Sequence, residues 1–105
     1  MEEANLNYIN ELSGDNVEFR EKIIAIIKEE LPEEIKVYES YKASNNFSQM
    51  AQSVHKLKHK ISILGLEKSY YIAEKYELNL KNNSTEIQLD FEIILKKMQD
   101  FVALL

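Results

Sequence analysis

The sequence predicts an all-α protein: an antiparallel up-down four-helix bundle with a short N-terminal helix. Three observations carry this expectation. Only two glycines (Gly14, Gly65) and one proline (Pro32) interrupt 105 residues, too few turn residues for a chain of many short strands. Apolar residues recur at alternating spacings of three and four along most of the chain, the period of a helix with one buried face. Polar clusters at Ser13-Gly14-Asp15, Ser44-Asn45-Asn46 and Asn82-Asn83-Ser84 separate these stretches and supply turn and cap chemistry.

Taken in order, residues 4–12 read as a helical lead-in that Ser13-Gly14 stops. Asp15 with Glu18 three residues on has the form of a capping box before the apolar run from Phe19 to Leu31, so a helix starts there. Pro32 predicts a kink or a break near Leu31, because proline lacks a donor and clashes with the preceding turn, and the pattern resumes with Ile35, Tyr38 and Tyr41. Asn46 and Gln49 suit the N-cap and third position of the next helix, whose inward stripe is Phe47, Met50, Val54, Leu57, Ile61 and Leu64. Gly65 ends it or admits a close helix contact. From Glu67 to Leu80 the stripe is Tyr70, Ala73, Tyr76 or Glu77, and Leu80. Thr85 and Gln88 form a third capping pair ahead of Ile87, Phe91, Ile94, Met98, Phe101 and Leu105.

The chain is the size of one domain, spanning 1–105, and its 45% hydrophobic and 30% charged residues lie in the globular range. It has no cysteine, which excludes disulfides, thiol catalysis and Cys-based zinc sites and suits a reducing compartment. The acidic N-terminus has no apolar core of a secretion signal, and the longest apolar runs are too short for a bilayer. A net charge of -5 lacks the basic footprint of a nucleic-acid binder. The expectation is a cytoplasmic monomer with neither nucleic acid nor membrane as partner.

The chemistry-bearing feature is His55. With each residue advancing roughly 100° around a helix, His55 points about 125° from the centre of the Phe47–Leu64 stripe and faces solvent. Ala51, Gln52, Lys58 and His59 lie one turn away, and Ser48 and Ser62 two turns. An exposed imidazole keeps a neutral, nucleophilic nitrogen at cellular pH, and Lys58 offers a cation for a phosphoryl oxygen. An exposed histidine near a lysine is more often plain solvated surface, so these residue types alone do not single out the chemistry.

The string Val54-His55-Lys56-Leu57-Lys58, continued through Ile61, Leu64 and Gly65, resembles the signature of the histidine phosphotransfer (HPt) family: His, a hydrophobic residue two on, Lys three on, and Leu-Gly nine and ten on. The likeness extends more loosely from Gly14-Asp15 through Leu31-Pro32 to Tyr76-Glu77. It implies a phosphoryl carrier rather than an enzyme, taking phosphate from a receiver-domain phospho-aspartate onto His55 and returning it to another receiver. Lys58 would orient and neutralise the phosphoryl group, and the receiver would supply Mg²⁺ and most of the catalysis, so no cofactor is expected here. Leu57, Leu64 and Gly65 would be structural. Gln52, Ala51, Ser48, Ser62, His59, Ile23 and Ile27 would meet the docking receiver, whether of a response regulator or a hybrid histidine kinase. The family usually has small residues four and five after the histidine. His59 and Lys60 stand there instead: His59, about 40° from His55, bears on access, and Lys60 reads as a solvated charge.

Two other readings use the same residues. His55-x-x-x-His59 has the spacing for two imidazoles to share a metal ion, but two ligands are not a site and Lys56 opposes a cation. A helical interaction module without phosphoryl transfer would use an apolar surface on the run Ile23-Ile24-Ala25-Ile26-Ile27, too wide for one inward stripe. The six tyrosines read as core-edge packing with the hydroxyl in water, and Glu29-Glu30 and Glu33-Glu34 as solvated helix surface.

Overall fold

Capping chemistry sets where the helices begin. In the computed structural model, which describes residues 2–105, the helices are α1 (Asn7–Ser13), α2 (Val17–Ala43), α3 (Phe47–Ile63), α4 (Glu67–Lys81) and α5 (Gln88–Ala103), with no strand among the described residues. The cap of α3 forms where the sequence puts it: the Asn46 side chain accepts from the Gln49 N–H at 3.2 Å. The cap of α2 lies one residue later than expected. Asn16, not Asp15, accepts from the Phe19 N–H at 2.9 Å, because Asn16 has the extended backbone of an N-cap while Asp15 stays in the turn closed by Asn16 N–H on the Ser13 carbonyl. The Thr85 and Gln88 pair does not cap α5, which has no side-chain cap. Gln88 instead donates its N–H to the Thr85 carbonyl in a turn, and the Ser84 hydroxyl accepts from Glu86.

Pro32 does not break α2, which runs as one helix from Val17 to Ala43. The carbonyl left without a donor belongs to Lys28, and both residues are exposed, so water can take the place of the missing bond.

The helical lead-in expected over residues 4–12 is shorter at its start. Residues before α1 form a strap across the α3–α4 turn instead. Asn5 donates its N–H to the Leu64 carbonyl at 2.9 Å, and the Glu2 carboxylate accepts from the N–H groups of Lys68 and Ser69 at 2.8 and 2.9 Å. Glu2 thereby caps α4, which has no side-chain cap of its own. Gly65 makes this crossing possible. Its φ of +76° turns the chain out of α3, and a Cβ there would lie 2.7 Å from the Asn5 side chain.

Four helices enclose the core, each contributing one stripe: Ile24, Ile27, Leu31 and Ile35 from α2, Met50, Val54, Leu57 and Ile61 from α3, Ala73 and Leu80 from α4, and Phe91, Leu95 and Met98 from α5. α3 packs most extensively on α4 and next on α2, α5 closes the bundle against α4 and α2, and α1 adds Ile9 from the side of α2. Short connections make successive helices antiparallel. Among the described residues no helix is long and apolar enough to cross a membrane.

Two tyrosines depart from the expected core-edge placement. Tyr38 and Tyr76 are fully buried, and their hydroxyls bond each other at 2.7 Å. Tyr38 also donates to Glu92 at 3.0 Å, and Glu92 pairs with Lys42 at 2.8 Å. Burial first, and then the bonds to Tyr76 and Glu92, push the Tyr38 hydroxyl far above its ordinary pKa.

Candidate functional site around His55

The inward stripe of α3 fixes what its outer face shows. Ser48, Gln52, His55, His59 and Ser62 are exposed along that face. The His55 side chain is 58% exposed, and its Nδ1 lies 3.3 Å from both oxygens of Glu77 on α4. Glu77 itself is buried.

Glu77 is the hub of the site. Lys58 Nζ reaches its Oε1 at 3.0 Å, and Lys81 Nζ its Oε2 at 3.3 Å. Burial alone would raise the Glu77 carboxyl, but hydrogen bonds from Lys58, Lys81 and His55 outweigh it and hold the group below its usual value. An ionised carboxylate only accepts hydrogen bonds. The proton of the neutral ring therefore belongs on Nδ1, which leaves the lone pair on Nε2 at the opposite edge of the ring.

Several site residues sit differently from the sequence expectation. Lys58 is not on the open face: its ammonium is buried, paired with Glu77 and 5.5 Å above the Tyr70 ring. The exposed cation that shares the Glu77 carboxylate with His55 is Lys81, 61% exposed. Ala51 is buried and forms the floor of a hollow bordered by Ser48, Gln52, His55, Leu80, Lys81 and Asn83. Ile27 is in the core and Ile23 partly so, and the half-exposed isoleucine of that run is Ile26. The α2 stripe that includes Leu31 and Ile35 turns Ile24 and Ile27 inward and Ile26 out.

Lys60 is also no solvated charge. It is buried between α3 and α2, with Nζ 2.8 Å from Glu30 and 3.2 Å from Glu34. Burial would lower its pKa, but the two carboxylates raise it above the ordinary lysine value. Glu34 is correspondingly drawn partly into the interface rather than left as open surface.

Glu77 and Lys81 were not singled out by sequence. The available signal was a charge on the inward stripe of α4, where Tyr76 and Glu77 competed for one apolar position. Both are buried. On the other side of His55, the His59 ring stands edge to face with its ring at 5.6 Å between centroids. Among the described residues no group of three or more His, Cys, Asp or Glu side chains comes together as a metal site.

Comparison of the chain with family models, with curated proteins and with solved structures returns no match.

Proposed function

We propose that this chain is a histidine phosphotransfer module of a two-component phosphorelay, a phosphoryl carrier with His55 as acceptor. The supporting observation is the exposed His55 ring held through Nδ1 by the Glu77 carboxylate, together with the signature from His55 to Gly65. In this reading the Nε2 lone pair attacks the phosphorus of a receiver's phospho-aspartate. The N–P bond forms as the P–O bond breaks, and the electron pair leaves on the aspartate carboxylate. The ring keeps its Nδ1 proton and gains positive charge, which Glu77 offsets much as a buried carboxylate does for a catalytic imidazole. Lys81, with its exposed ammonium beside the ring, takes the charge-neutralising role assigned by sequence to Lys58. Return of the group to another receiver is the reverse step. Mg²⁺ and the remaining catalysis belong to the receiver. Receiver domains of response regulators and hybrid kinases are then the partners, in the cytoplasm.

The second reading, an interaction module without transfer, draws on the exposed Phe19 and Ile26 of α2. Incubation with a panel of phosphorylated receivers separates the two. Acid-labile, base-stable label that disappears in His55→Gln and persists in His59→Gln supports phosphotransfer. Absence of transfer from every receiver favours the interaction module.

A further inference from the structure

The two flanks of His55 differ in what a partner would meet. Toward the start of α3 the hollow beside His55 is bordered by Ser48, Ala51, Gln52, Leu80, Lys81 and Asn83, with no aromatic ring among them. Toward its end stands His59, perpendicular to the His55 ring at 5.6 Å. Behind His59 lies a second hollow walled by Tyr8 of α1, Ser62, and Tyr70 and Tyr71 of α4. The Tyr70 and Tyr71 rings meet edge to face at 5.7 Å. Tyr8 is carried there by α1, which the strap ties down through Asn5 to Leu64 and Glu2 to the start of α4. His59 thus stands at the edge of a hollow lined by rings from two other helices, one of them held by the strap that precedes it.

We infer that His59, standing perpendicular to the His55 ring one turn on, is a selectivity gate for His55, an inference that rests on the phosphotransfer reading. A donor must bring phosphorus to about 3–3.5 Å from Nε2, and misplacement by about 1 Å costs on the order of 10²-fold in rate. A small donor reaches Nε2 past either flank. A receiver domain is too large to approach His55 without meeting the next turn of α3, so an imidazole there excludes any receiver whose surface does not leave room for it. Receivers that fit approach over the Ser48 and Gln52 flank. Ring volume sets the gate, and its nitrogens do not.

The test compares the wild type with His59→Ala and His59→Phe, the second keeping a ring without nitrogens. Each is loaded from phosphoramidate and, separately, from a panel of phosphorylated receivers, with label on His55 measured by peptide mass spectrometry. In the phosphoramidate reaction Nε2 forms the new N–P bond as the donor's N–P bond breaks, and the donor's already protonated nitrogen leaves as ammonia with the electron pair. The expected result is phosphoramidate loading equal within about twofold in all three proteins, with receiver-dependent loading of His59→Ala at least about tenfold faster and open to more receivers. His59→Phe should match the wild type. Equal receiver rates in wild type and His59→Ala would overturn the gate, as would a His59→Phe protein as fast as His59→Ala. Loss of the phosphotransfer reading looks different: no receiver loads any of the three proteins.

Discussion

Tyr76 and Glu77 are neighbours on α4, both buried, yet they anchor polar networks of opposite character. The Tyr76 network is closed. Tyr38, Glu92 and Lys42 meet its hydroxyl or one another inside the α2, α4 and α5 interface, and no member offers a free nucleophile. The Glu77 network is open: a buried carboxylate gathers Lys58 from within and His55 and Lys81 from the surface. Buried polar groups of either kind must be satisfied. What separates a structural network from a candidate site is a member with one partnered edge and one bare edge, and here only the His55 ring has that form.

The largest contrast should come from removing one group from each network. His55→Gln should abolish phosphoryl labelling while leaving stability within about 0.5 kcal/mol of wild type, since the side chain is exposed. Tyr38→Phe should retain labelling and lose about 1–2 kcal/mol in denaturant unfolding, the cost of a buried hydroxyl whose partners go short of a bond. Labelling that fails in Tyr38→Phe would mean the closed network reaches the site after all.

The two lysines of Glu77 sharpen the comparison within the open network. Lys58→Met should cost about 1–3 kcal/mol, less than the full penalty for breaking a buried pair because Lys81 and His55 remain on the carboxylate. Lys81→Met should leave stability within about 0.5 kcal/mol and shorten the lifetime of phosphohistidine, with Lys81→Arg restoring it. An unchanged lifetime in Lys81→Met would return the neutralising role to Lys58.

The smallest expected effect is a pH dependence. The Glu77 carboxyl is held below its usual 4.5 in the folded chain, so its contribution is complete above that value and is lost as pH falls through the lower folded-state pKa. Thermal unfolding followed below pH 4.5 should show a shallower acid decline in Glu77→Gln than in wild type. An equally steep decline would place the acid sensitivity in other carboxylates, Glu2 among them, where burial opposes ionisation but the N–H groups of Lys68 and Ser69 outweigh it and lower the pKa.

The helices and their inward stripes were legible because they follow from period alone. The polar positions were less so, since their fate depends on neighbours distant in sequence. Lys58 and Lys60 look alike on a helical wheel, and both are drawn inward by carboxylates on other helices, Glu77 on α4 and Glu30 with Glu34 on α2. Asp15 and Asn16 are adjacent cap formers, and which one caps is decided by the turn that precedes them. The strap is invisible in the sequence because Glu2 and Asn5 act on Lys68, Ser69 and Leu64. Only Gly65 hinted at a close approach there. His55 itself was readable as an exposed imidazole, whereas the group that orients it had to come from α4.

The proposed phosphoryl transfer at His55 depends first on the orientation of its ring. ¹⁵N-resolved NMR of the imidazoles, recorded before and after loading with phosphoramidate, reads it directly. The expected result is a His55 tautomer with its proton on Nδ1, and phosphorus appearing on Nε2 while the Nδ1 proton is retained. A His55 protonated at Nε2, or phosphorus on Nδ1, would contradict it.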